Sequence, residues 1–244
     1  MFAIVKIFII LLIFNGFTWP CLGESRILLD YREDNLWDTS EDSKKLSPAI
    51  EKAVIQSVIT KDDRACFGTL TPRVIDHALG SFTNIRLQQV VYLVDLGDSC
   101  HPRATGTVRL AIATGNRIIT YGDVTGYRSI KKITDIDNDG INGIILQGGW
   151  MGTGHLTVSA RLLTIKPRGI LTLKTFNRVF ESWCIMDIRN CYRRASVVLV
   201  HIDRKGLPVF TRKNYIAKCD GDYFSSETIC GSYTIDKAFN PEID

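Results

Sequence analysis

Residues 47 to 59, SPAIEKAVIQSVI, set Ile50, Ala53, Val54 and Val58 three and four positions apart, which lines one face of a helix with apolar side chains. Ser47 can cap it, Pro48 fits the first helical position and Glu51 falls in the first turn. TPRVIDHAL (71 to 79) repeats the Thr-Pro opening and closes on Gly80, so a second short helix is expected there. From about residue 86 the apolar period changes. LQQVVYLVDL, TGTVRLAIAT, RIITYGDV, SIKKITDI, GIILQG, HLTVSARLLTIK, GILTLKTF and ASVVLVHID are rich in Val, Ile, Thr and Tyr, the composition of strands. The short turns TGN (114 to 116), DNDG (137 to 140), KPRG (166 to 169) and DRKG (203 to 206) separate them. Strands joined by Gly, Asn and Asp turns argue for antiparallel pairing, and the lack of intervening helical patterns excludes a βαβ arrangement. The expected fold is mainly β: antiparallel sheets in a sandwich or an incomplete propeller-like arrangement, with one or two short N-terminal helices. A complete propeller is too large for 244 residues, and no blade-length repeat is present.

The first residues change the picture by setting a compartment. Lys6 precedes the apolar run IFIILLIF (7 to 14), which Asn15 and Gly16 end. A membrane-spanning helix needs about 20 apolar residues, so the run matches the apolar region of a secretory signal peptide instead. CLG (21 to 23) offers small residues for cleavage before Glu24. Residues 1 to 23 are therefore read as a leader, and the chain as periplasmic or secreted, with no membrane span once the leader is removed. An uncleaved anchor is the competing reading. Residues 24 to 46, rich in Asp, Glu, Ser and Lys, read as an exposed polar arm and a candidate for disorder. Residues 47 to 244 then form a single β-rich domain.

Cysteine count follows from that compartment. Without Cys21 the chain keeps Cys66, Cys100, Cys184, Cys191, Cys219 and Cys230, an even number that fits three disulfides in an oxidising environment. Six cysteines allow 15 connectivities. Proximity favours Cys184 with Cys191 and Cys219 with Cys230, leaving Cys66 for Cys100. A zinc site is the rival, but there is no C-x-x-C pair and the histidines are scattered.

TDIDNDGINGIILQGG (134 to 149) is the segment with the most chemistry. Asp135, Asp137 and Asp139 occupy positions 1, 3 and 5 of a potential calcium loop, Gly140 allows the sharp turn at position 6, and the carbonyl of Ile141 falls at position 7. Leu146 stands where an EF-hand carries its bidentate acid, and the flanks read as strands rather than helices. A strand, a D-x-D-x-D-G loop and another strand resemble the calcium loops of FG-GAP and VCBS repeats, as in the integrin α-subunit propeller. The resemblance covers roughly 20 residues as a single degenerate copy, and implies a bound Ca2+. In that family a further Asp or Glu follows three residues after the Gly, and here that place holds Gly143. The surroundings, including GGWMGTGH, also resemble a group of secreted bacterial proteins that carry one such loop, which implies nothing about activity. Three Asp side chains and one carbonyl supply fewer oxygens than the about six to eight that calcium takes, so a site here is weak. The competing reading is a turn in which the Asp and Asn side chains bond the backbone.

Other candidates carry less. GGWMGTGH (148 to 155) approximates a phosphate loop, but His155 and Leu156 stand where Lys and Ser or Thr are required and a strand follows. A glycine-rich connection is expected, with Trp150 and Met151 as a docking point if exposed. DLGDSCHPR (95 to 103) superficially suggests a Cys/His nucleophile, yet Cys100 is needed for the disulfide count. Arg189, Arg193, Arg194, Arg204, Lys205, Arg212, Lys213 and Lys218 make a cationic stretch that an envelope protein or an anionic polysaccharide could meet. A formal net charge of +4 is too small to imply nucleic-acid binding. No catalytic constellation emerges, so the sequence reads as an exported, non-enzymatic β module with a structural or partner-binding role. The alternative is a secreted hydrolase acting on cell-wall or glycan substrates, whose paired acids need only meet in space.

Overall fold

A computed structural model describes residues 25–33, 46–66, 72–97, 107–152, 154–167, 169–184, 191–220 and 229–239. The expected leader lies outside the described residues. So does the pairing of Cys66 with Cys100. Strand β1 (Arg26–Asp30) is followed by helices α1 (Pro48–Val58) and α2 (Lys61–Cys66). Ser47 caps α1, its hydroxyl accepting from the Ile50 N–H, with Pro48 at the first turn as expected. A four-stranded antiparallel sheet then runs in the order β2 (Arg73–Gly80), β3 (Gln89–Asp95), β4 (Val108–Thr114) and β5 (Arg117–Asp123). The larger sheet orders β6 (Ser129–Asp135), β7 (Asn142–Gly152), β8 (His155–Lys166), β9 (Gly169–Ser182), β10 (Tyr192–Ile202), β11 (Pro208–Asp220) and β12 (Ile229–Cys230). Strand β1 pairs with β10, and β13 (Thr234–Ile235) with β11. The protein is mainly β, with antiparallel sheets, one of them curled into a half-barrel.

Side-chain alternation explains the layers. Strands β7 and β8 are apolar on both faces, as strands covered on both sides must be. Ile144, Leu146, Leu163 and Ile165 meet Val91, Leu93, Val108, Leu110 and Ile112 of the small sheet. On the opposite face Ile145, Val158, Ala160 and Leu162 join Phe176, Phe180, Val198 and Val200 inside the curl. Helix α1 covers the outer face of the small sheet, setting Val54 and Val58 on Tyr92, Val94, Ala111 and Ala113. Each fully buried aliphatic side chain contributes about 1.5 to 3 kcal/mol, so these three clusters hold the layers together. No helix of the described residues is long and apolar enough to cross a membrane.

Two expectations are corrected, and two further elements are added. Residues 73 to 80 form β2 and not a helix, pairing with β3 from Arg73–Asp95 to Gly80–Gln89. Val74 faces the α1 cluster while Ile75 and Ala78 face the sandwich. That two-sided demand is met by an extended strand, and the ladder overrides the Thr-Pro helix signal. Part of the supposed arm is also core: β1 pairs with Val197 to Val200 of β10, and Leu28, Leu29 and Tyr31 are buried in the curl. Finally, α2 and β11 carry no strong apolar signal and emerge only in the structure.

Candidate functional site

The Asp segment connects β6 and β7. Their ladder runs to Asp135–Asn142, and residues 136 to 141 must reverse the chain within that gap. Ile136 is buried in the curl's core and anchors one side of the loop. Asn138 and Gly140 take positive φ, 60° and 83°, the left-handed conformations that Asn and Gly tolerate best. The Gly140 N–H donates to Asp135 Oδ2 at 2.8 Å, and the Ile141 N–H to Asp139 Oδ1 at 2.7 Å. Asn142 ties the loop to the small sheet, its N–H donating to the Ser81 carbonyl and its Oδ1 accepting from the Ser81 N–H, both at 2.7 Å. Arg26 of β1 closes the other side, its guanidinium donating to the carbonyls of Asp135 and Ile136.

This frame brings Asp135, Asp137 and Asp139 together: one carboxylate oxygen from each lies within 4.8 Å of the others. Asp135 Oδ1 is buried with no hydrogen-bond donor among the described residues. A buried carboxylate oxygen without a donor is costly, and three carboxylates this close repel one another unless a cation shares them. The donor set is all oxygen, the set that hard divalent cations take. The side chains of Asp135, Asp137 and Asp139 could therefore hold a metal ion, while Ile141, the fourth ligand expected from the sequence, follows the tight turn at Gly140. Gly143 explains the absent fourth acid. A Cβ there would stand 3.1 Å from Leu162 Cδ1 and 3.3 Å from the Leu163 carbonyl, so a side chain at this position would press on β8.

The glycine-rich segment is resolved as a hairpin. GGWMG completes β7 and His155 begins β8, with Gly152 opposite His155. No helix follows, and the phosphate-loop reading falls. Gly148 is crossed by the chain passing between the sheets: a Cβ on it would overlap the Gly126 carbonyl. Gly152 lies under the Trp150 ring, which folds back along its own strand. Trp150 and Met151 are 59% and 64% exposed.

Two of the three expected disulfides fall within the described residues, Cys184–Cys191 and Cys219–Cys230. Of the cationic stretch, Arg193, Arg194 and Arg212 are half-buried, whereas Arg204, Lys205, Lys213 and Lys218 are exposed. Arg194 donates through Nε to Asp236 Oδ2 at 2.8 Å, and Arg212 donates to the carbonyls of Asn177 and Arg178 at 2.7 and 2.6 Å. Arg189 lies outside the described residues, as do Asp98, Cys100 and His101.

One cluster escaped the sequence. Glu181 is 1% exposed and accepts from Arg178 Nε at 2.8 Å, with His155 Nε2 at 3.3 Å and Arg194 Nη1 at 3.9 Å. His155 stacks on Trp183 at 3.9 Å, and Trp183 on Tyr192 at 5.9 Å. Burial is the main cause that pushes the Tyr192 hydroxyl above its ordinary pKa. Arg178 holds φ 53° at a bulge in β9, its N–H donating to Ser159 Oγ at 3.1 Å. The bulge aims Arg178 at Glu181. Only the cross-strand register brings these residues together, so no spacing in the sequence could reveal them. Comparison with protein-family models, with curated proteins and with solved structures finds no match to this chain.

Proposed function

We propose that the chain is an exported, non-enzymatic β module in which the Asp135–Asp137–Asp139 loop takes up one calcium ion, with a structural or partner-binding role in the cell envelope. The convergence of three carboxylates around a buried, donor-less oxygen carries the reading. Calcium would neutralise that cluster and lock the β6–β7 connection between Ser81 on one side and Arg26 on the other. The two disulfides fit an oxidising compartment, in line with the leader-like first residues. A partner would meet the β7–β8 hairpin, where exposed Trp150 and Met151 supply residue types that dominate binding surfaces.

Calcium titration followed by melting temperature tests the metal. With few protein ligands the affinity belongs to the range of extracellular modules, a Kd of about 1 mM. About 10 mM calcium then adds roughly 1.4 kcal/mol of stability, or about 3 to 6 °C for a chain of this size. Magnesium, which demands tighter octahedral geometry, gives a smaller shift. Asp137→Ala abolishes the calcium response. An equal melting temperature with calcium and with chelator in the wild-type protein refutes the site.

A further inference from the structure

The two disulfides are neighbours. The Cys219 N–H donates to the Cys191 carbonyl at 3.0 Å, one step beyond the Tyr192–Lys218 pair of the β10–β11 ladder. Cys191 and Cys219 therefore stand opposite each other on adjacent strands. One sulfur each of Cys184, Cys191 and Cys219 lie within 4.8 Å of one another. Burial divides the four cysteines into an inner and an outer pair. Cys191 and Cys219 are 3% and 1% exposed, whereas Cys184 and Cys230 are partly exposed. An incoming thiol meets an outer sulfur first, and the sulfur it displaces is an inner one beside the other bridge. Residues opposite each other on antiparallel strands have Cα atoms about 4.5 to 5.5 Å apart, within the roughly 4.4 to 6.8 Å that a disulfide spans. A Cys191–Cys219 bridge thus needs no movement of the strands. Arg193 lies two residues along the chain from Cys191. Its Nε is buried without an acceptor among the described residues, and alternation along β10 puts it on the same face as Cys191. A nearby guanidinium favours the thiolate that exchange requires.

We propose that Cys184, Cys191, Cys219 and Cys230 form one exchange unit, which captures a low-molecular-weight thiol on an outer cysteine while the inner pair re-bridges. The thiolate attacks Cys184 Sγ, the bond to Cys191 breaks, and the electron pair leaves on the Cys191 sulfur. That thiolate attacks Cys219 Sγ, forming Cys191–Cys219 and releasing Cys230 as thiolate, which takes up a proton from water. Two S–S bonds break and two form, so no oxidant or reductant is consumed. Attack at Cys230 runs the mirror sequence and releases Cys184. The unit is independent of the calcium loop.

A short pulse of glutathione on the native, folded protein, followed by acid quench, alkylation and peptide mapping by mass spectrometry, tests the scheme. The expected product carries glutathione on Cys184 or Cys230, a Cys191–Cys219 bridge and an alkylated second outer cysteine. Glutathione adducts accompanied by an alkylated Cys191 or Cys219, with the other bridge intact, overturn it. Uptake of thiol only after unfolding overturns it as well. Two variants give an independent readout. Cys184→Ser and Cys230→Ser are both expected to hold Cys191–Cys219 as their main bridge, with the remaining outer cysteine alkylated. Retention of Cys219–Cys230 in the first and of Cys184–Cys191 in the second refutes the exchange. If either variant fails to fold, the wild-type pulse decides alone.

Discussion

Single residues show how far side-chain size, rather than chemistry, shapes the glycine-rich stretch. The chain crosses between sheets at Val124 to Arg128, where the Val124 N–H donates to the Val108 carbonyl at 2.8 Å and the Arg128 N–H to the Gln147 carbonyl at 2.9 Å. These bonds press the Gly126 carbonyl onto Gly148, leaving no space for a Cβ. The obstacle is backbone on both sides, so it cannot swing away as a flexible side chain would. Gly148→Ala is expected to cost at least about 3 kcal/mol, the upper end of overpacking penalties, read as a drop in the urea midpoint. Gly140→Ala tests a different cause. Its Cβ would strike the tip of Ile85, which is exposed and free to turn aside. The positive φ then sets the penalty, about 1 to 2 kcal/mol. Equal losses at the two positions would contradict this ranking.

At the scale of elements, β1 separates what the sequence discloses from what only the fold can. Its five residues RILLD sit in a polar surrounding with one short apolar cluster, too little to signal a strand. Strand β10 gives it a reason to form. Pairing of β9 with β10 is confined to Phe180–Ser182 and Ala195–Arg193, and the remaining edge of β10 accepts β1 through Val197 to Val200. Lys132 of β6 also donates to the Leu28 carbonyl at 3.0 Å, so β1 links β10 to the β6 edge of the curled sheet. Leu29→Ala should therefore cost about 3 kcal/mol by chemical denaturation; a neutral substitution would mean that the segment is a dispensable arm. Helix α1 and strands β3 to β10 were legible because local signals agree with their surroundings: a cap and a helical period in one case, β-branched runs between tight turns in the other. Strand β2 was misread because its Thr-Pro opening and mixed apolar spacing satisfy a helix until β3 is beside it. The Asp cluster was legible as a set of residues, since its three carboxylates come from one short contiguous segment. The Glu181 cluster and the apposed disulfides were not, because register across β8 to β11 assembles them.

In the molecule as a whole, the helical layer is fastened to the small sheet by one buried cation. Arg109 of β4 is 6% exposed and donates to Asp63 Oδ2 at 2.7 Å, to Asp123 Oδ1 at 2.6 Å and to the Val58 carbonyl at 2.6 Å. It thus joins α1, α2, β4 and β5. Burial alone would lower the pKa of its guanidinium, but the bonds to Asp123 and Asp63 outweigh burial and raise it. Burial likewise favours the neutral form of Asp63. The hydrogen bonds from Arg109 and Thr60 prevail and hold its carboxyl below the usual carboxylate range. Asp30 is also held low, chiefly by its hydrogen bond from Arg32. A carboxyl with a lowered folded-state pKa binds its proton more weakly when folded, so its stabilisation is complete above the unfolded value of about 3.9 and disappears as pH falls through the lower folded value. Stability is therefore expected to change little between neutral pH and about pH 5, then to fall below about pH 4. Asp63→Asn removes one of the two contributions. The variant should start less stable at neutral pH, lose less on acidification and approach the wild-type midpoint near pH 3 in urea titrations. Parallel pH profiles for the two proteins would show instead that the ionisation of Asp63 does not join the layers.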